Sequence, residues 1–118
     1  MDELHQRRIA TIEDHCRKAN GAIVDAMERF DGGDDHVLSL VCECGISECL
    51  DTVEATVREY TALRGDARRF IIRPDHVIAQ VETVVATHAD HWIIEKLDAG
   101  ADEATRLAAD HAAEADGR

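Results

Sequence analysis

Long apolar runs are missing from this chain of 118 residues; the longest are three residues, such as Val84-Val85-Ala86 and Trp92-Ile93-Ile94. Roughly 20 in a row are needed to cross a bilayer, so no membrane-spanning helix is expected. The N-terminus, Met1-Asp2-Glu3-Leu4-His5-Gln6-Arg7-Arg8, carries acids early and no apolar segment after them, unlike a secretory leader. The expectation is a cytoplasmic protein whose thiols stay reduced. Bases are scarce, 13 against 25 acids and nearly all Arg, for a net charge of −12. A surface of that sign repels phosphate backbones, which argues against direct nucleic-acid binding and for protein partners. Aromatic residues are only 3% of the chain, so the core must rest on Val, Ile, Leu and Ala. A single domain of this size with so few large side chains calls for a staple.

The clearest periodicity is Ile9, Ile12, Cys16, Ala19, Ile23, Ala26 and Phe30, spaced 3-4-3-4-3-4, the heptad pattern of an amphipathic helix. Asp31-Gly32-Gly33-Asp34-Asp35 supplies its stop. Val37 to Cys44 reads as a strand running into a loop at Gly45, and Val53-Glu54-Ala55 as a short return strand. Thr56 and Glu59 fit a capping box, opening a two-turn helix that ends at Gly65. Phe70-Ile71-Ile72-Arg73 predicts a further strand closed by the turn Pro74-Asp75-His76. Val81 to Lys96 is read as a hairpin with His88-Ala89-Asp90-His91 at its tip. Beyond it lies an acidic, alanine-rich tail. Leu97, Ala101, Ala104, Ala108, His111 and Ala115 repeat at 4-3-4-3-4, a spacing that lets the two terminal helices meet.

Three of the four cysteines fall within eight residues, as Cys42-Glu43-Cys44-Gly45-Ile46-Ser47-Glu48-Cys49. In a reducing compartment such clustering points to thiolate ligation of a metal rather than to disulfides. Zinc leads, being redox-inert and suited to sulfur and imidazole. The fourth ligand must come from elsewhere, and His76 is the first choice because a proline turn at a strand end presents it rigidly. Cys16, His36 and the pair His88/His91 compete for the position. Cys16 is otherwise a small hydrophobe in the helical seam.

The string Cys42-x-Cys44 … Cys49, followed by Glu59-Tyr60-x-x-Leu63-Arg64, Phe70-x-x-x-Pro74-x-His76, Val84-Val85 and then Trp92, Ile94, Glu95 and Lys96, resembles a set of short, functionally uncharacterised proteins from high-GC actinobacteria. The resemblance covers roughly residues 38 to 96, about half the chain. In that set the turn reads Pro-Gly-His, and the match implies His76 as the metal-binding histidine, with Asp75 standing where the set has glycine. No activity is implied.

Other groupings have plainer readings. The hairpin-tip histidines are expected to be solvated loop residues. Tyr60 and Leu63 are expected in the core with Arg64 solvated, and Trp92 on the inner face of a strand. The sequence therefore predicts an α+β fold: a small zinc-stapled antiparallel sheet with a short helix, flanked by N- and C-terminal helices. Residues 1–33 form the amphipathic helix, 36–97 the zinc-binding core, and 98–118 a helical or partly disordered tail. The expected function is a non-enzymatic regulatory or protein-interaction protein with a structural site of Cys42, Cys44, Cys49 and His76. Its partner is another protein or a second copy met through the N-terminal helix. A thiol-based redox or metal sensor using the same cysteines is the alternative. A hydrolytic metalloenzyme with Glu43 or Glu48 as base ranks third.

Overall fold

In the computed structural model, which describes residues 2–30, 33–46 and 48–115, the chain opens with α1, Glu3–Arg29. Asp2 caps it by accepting the His5 N–H at 2.7 Å. Of the expected stop signal, Asp31 and Gly32 lie outside the described residues. The buried stripe of α1 is not the apolar heptad. It consists of Ile9, Ala10, Glu13, Asp14, Asn20 and Val24, whereas Ala19 and Phe30 are exposed and Cys16 and Ile23 half-buried. The helix is turned by about one residue from the apolar seam because three polar side chains on it have partners inside the protein.

Those partners are specific. Asn20 donates to the Val41 carbonyl and accepts the Val41 N–H, at 2.8 and 2.7 Å, pairing with the end of β1 as a neighbouring strand would. Asp14 meets His111 at 2.6 Å and Arg17 at 2.8 Å. Burial alone would raise the Asp14 pKa, but these hydrogen bonds outweigh it and hold the carboxyl below its usual value. The first of these contacts belongs to the meeting of α1 with α3, Asp98–Ala115. Arg7 reaches Glu103, Asp14 reaches His111 and Arg17 donates to the Ala104 carbonyl, so α3 is fastened to α1 at several points along its length. The predicted encounter of the terminal helices takes place, with Ala104 fully buried in it.

The strands are arranged in two small antiparallel sheets where a single sheet was expected. β1, Val37–Val41, pairs with β2, Thr52–Thr56, and alternation puts Leu38, Leu40, Val53 and Ala55 inward. The second sheet contains β3, Arg69–Ile72, β4, Glu82–Thr87, and β5, Trp92–Lys96, in the order β3-β5-β4. The separation has a local cause. After β1 the chain passes along the free edge of β3, where Glu43 N–H donates to the Ile71 carbonyl at 2.8 Å. The return bond, from Ile71 N–H, goes to the Glu43 carboxylate at 2.9 Å instead of to backbone, and the ladder stops there.

Between the sheets lies α2, Val57–Leu63, opened by the predicted capping box: Glu59 N–H to Thr56 Oγ1 at 3.1 Å and Thr56 N–H to Glu59 Oε1 at 2.8 Å. Tyr60 and Leu63 are buried as expected, and Arg64 pairs with Asp25 of α1 at 3.0 Å. Trp92 is half-buried, while Ile94 beside it is wholly enclosed. Phe70, Ile71 and Ile72 complete the centre. Among the described residues no helix is long and apolar enough to cross a membrane.

One ionic group is sealed in the interior. Lys96 Nζ lies 3.0 Å from Glu13 Oε1 and 3.4 Å from Glu82 Oε2, and the side chains of Lys96, Glu13 and Glu82 expose 0% of their surface. Glu13 thus shares the one buried cation with Glu82. Burial, and then the charge of Glu82, push the Glu13 pKa well upward against the pull of Lys96. Replacing the shared cation should therefore be severe. Lys96→Met is expected to lower unfolding free energy by about 3–5 kcal/mol at neutral pH. Glu13→Gln should be nearly neutral alone and should recover part of the loss when combined with it, as a urea-denaturation double-mutant cycle would show.

Candidate metal centre

Cys42 and Cys44 leave the end of β1 on either side of Glu43, and Gly45 then turns the chain with φ +75°. Only glycine suits this position: a Cβ there would stand 2.7 Å from Ile9 Cγ2 and 3.1 Å from Glu13 Cγ of α1. The loop is thus pressed against α1 and folds back, with Cys49 N–H donating to the Ile46 carbonyl at 3.0 Å. His76 arrives from the connection after β3. One donor atom from each of Cys42, Cys44, Cys49 and His76 lies within 4.8 Å of the other three. His76 Nδ1 is 3.5 Å from Cys42 Sγ and 3.8 Å from Cys49 Sγ. These four residues together can hold a metal ion.

The surroundings orient the donors. Arg73 N–H points at Cys42 Sγ from 3.2 Å. His76 Nε2 faces Asp51 Oδ2 at 3.5 Å, leaving Nδ1 for the cluster, a carboxylate behind an imidazole of the kind that fixes metal-bound histidines. Sequence reasoning missed Asp51, which has no spacing signal and is recruited by the return of β2. It also misjudged Glu43, considered as a hydrolytic base. That carboxylate is fully buried and accepts from Tyr60 Oη at 2.6 Å, Asn20 Nδ2 at 2.8 Å and Ile71 N–H. Burial raises it to about 7, against the pull of those donors.

Three thiols this close cannot all ionise without a cation. A hydrogen bond from Cys42 pulls Cys44 down to about 5, while the same interaction pushes Cys42 upward. Burial, first among several causes, raises Cys49. The competing candidates for the fourth position stand elsewhere. Cys16 is half-buried outside the cluster, with its pKa lifted by burial to about 11, and His36 is exposed. His88 and His91 sit at the tip of the β4–β5 hairpin, and only His88 is exposed as expected. His91 is 3% exposed, because its ring turns inward to the Glu54 carbonyl.

Comparison with protein-family models, with curated proteins and with solved structures gave no match. The centre is accordingly read from its own geometry.

The turn that carries His76 has a feature the sequence left open. Asp75 has φ +71°, the left-handed region that glycine occupies without strain and that Asp tolerates better than most residues. Asp75→Gly should therefore fold with unchanged or slightly higher stability. Asp75→Val is expected to cost about 1–2 kcal/mol, and thermal unfolding of the two variants side by side would reveal whether this backbone conformation is adopted.

Proposed function

We propose that Cys42, Cys44, Cys49 and His76 bind a structural zinc ion, and that the protein is a non-enzymatic interaction module built around it. The spacing between sulfur and nitrogen carries this reading. Zinc bonds of about 2.3 Å to sulfur and 2.0–2.1 Å to nitrogen, at tetrahedral angles, separate the two donors by about 3.6 Å. The separations here are 3.5 and 3.8 Å. Four protein donors close the coordination sphere, which is the arrangement of a structural rather than a catalytic zinc.

Such an ion would join the β1–β2 connection to the β3–β4 connection and so clasp the two sheets. The interaction role draws support from what the clasped loop displays. Ile46 and Leu50 are 47% and 92% exposed on either side of Cys49, on a chain whose net charge is −12. An apolar tip within an acidic surface suits a protein partner better than a nucleic acid. The heptad residues of α1 that remain accessible, including Cys16, Ile23 and Phe30, offer a second face for a partner or another copy of the chain. A cytoplasmic setting would keep the thiols reduced.

The half-exposed Cys49 keeps the thiol-sensor reading in view. Peroxide would take two electrons from two of the thiolates and be reduced to two hydroxides, which take two protons from solvent to become water, while the sulfurs join as a disulfide and zinc is freed.

The experiment is metal analysis of the purified protein with its variants. Native protein should contain one tightly held zinc in this centre, and cobalt in its place should give strong sulfur-to-cobalt charge-transfer absorption. Cys42→Ser and His76→Ala should lose the ion and much of the fold, since zinc ligation contributes on the order of 10 kcal/mol in finger peptides. A native fold that survives strong chelation would overturn the proposal. Release of zinc by stoichiometric peroxide, reversed by a thiol reductant, would move the assignment to the sensor.

A pH dependence follows. Zinc needs three thiolates; Cys44 is ionised down to about 5, whereas Cys42 and Cys49 are raised and hold their protons at neutral pH. Binding should displace about two protons, so affinity should fall about a hundredfold per unit as pH drops from 8 to 6. Competition titrations with a chromogenic chelator would measure that slope.

A further inference from the structure

We infer that Glu59, His88 and His91 form a second site for a divalent transition metal such as zinc, separate from the cysteine centre and open to solvent. One donor atom from each of the three lies within 4.8 Å of the other two. They come from different parts of the fold: Glu59 from the first turn of α2, and the histidines from the β4–β5 tip. That tip is closed by His88 N–H donating to the His91 carbonyl at 2.9 Å. The turn stacks the two imidazoles, with centroids 4.6 Å apart and planes 28° from parallel.

Each donor is held from behind. His91 Nδ1 lies 2.8 Å from the Glu54 carbonyl, and a carbonyl only accepts, so Nδ1 carries the proton and Nε2 presents a lone pair. A backbone carbonyl behind an imidazole is the outer contact that metal-bound histidines use to set tautomer and direction. Glu59 Oε1 is fixed by the Thr56 N–H, which orients the carboxylate and leaves its other oxygen. The helix cap accounts for Glu59 at the start of α2, and the Glu54 contact accounts for one nitrogen of His91. Neither employs the His91 Nε2 or the ring of His88, which is exposed yet stacked on its buried neighbour.

The same three residues are those common to two adjoining clefts of about 270 and 240 Å³, one walled by Glu54 and Asp90, the other by Leu63, Arg69 and Ile93. A cation there would have three protein ligands of the His2Glu kind and room for water or a small anionic ligand in the remaining position. Three nitrogen and oxygen donors with a remaining position for water are the set found at open zinc sites, in contrast to the closed, sulfur-rich centre.

The test is equilibrium dialysis of the full chain against zinc and cobalt. Two equivalents are expected. Cobalt in the cysteine centre gives sulfur-to-cobalt charge transfer, and the second equivalent should add only weaker visible bands without it. His88→Ala, at an exposed position, should bind one equivalent with charge transfer and far-ultraviolet circular dichroism unchanged. Glu59→Gln keeps a residue able to complete the capping box and should weaken the second equivalent at least about tenfold. Wild-type uptake that stops at the charge-transfer equivalent, or a His88→Ala variant that still takes two, overturns the site. One equivalent without charge transfer, lost in His88→Ala, would uphold it while sinking the cysteine centre, so the two proposals fail separately.

Discussion

The buried carboxylate of Glu43 is the point on which the architecture turns. It sits between two cysteines in the chain and accepts hydrogen bonds from Asn20 of α1, Tyr60 of α2 and the backbone of β3. Three elements distant in sequence are thereby referred to one residue of the cysteine loop. A buried carboxyl group without partners would cost several kcal/mol, but one with three donors fixes geometry closely, because each donor lost leaves a polar oxygen facing an apolar interior. The direction in which Cys42 and Cys44 project follows from that anchoring. Gly45 then allows the loop to turn within contact of α1, so the cysteine centre and the long helix share a boundary of packed atoms.

A second polar knot lies close by. Glu13, whose side chain would collide with any Cβ at position 45, also faces Lys96 at the end of β5. The interior therefore relies on ionic and hydrogen-bonded groups such as Glu13, Asn20, Glu43, Glu82 and Lys96 alongside its apolar core, in a chain poor in aromatic residues. Tyr60 and Phe70 are the large aromatic side chains fully enclosed. With limited apolar area to hide, specificity of packing comes from polar groups that accept only one arrangement of partners.

This also explains what the sequence disclosed and what it concealed. Local chemistry was legible: the Thr56/Glu59 cap, the strands before and after the cysteine loop, the hairpin with its tip at His88–His91, and the α+β class. The convergence of His76 with the cysteines was also foreseeable, from a proline turn at a strand end. The facing of α1 was not, because apolar periodicity assigns Glu13, Asp14 and Asn20 to solvent, and their burial depends on Lys96, His111 and Val41, each far away in the chain. The division into two sheets was hidden for a similar reason: it arises when a side-chain carboxylate takes the place of a backbone acceptor at Ile71. The inward turn of His91 depends on a carbonyl 37 residues earlier, a contact that no spacing announces.

The distribution of the four donors along the chain has a consequence for assembly. Three sulfurs are near neighbours in sequence, whereas His76 is 34 residues from Cys42. Closing a loop of that size costs on the order of 3 kcal/mol in chain entropy, small beside the roughly 10 kcal/mol that zinc ligation supplies in finger peptides. An ion gathered early by the thiolates would act as a tether, holding the first hairpin ready while the second sheet forms and delivers its imidazole. The order of events in folding would then be written in the order of the ligands.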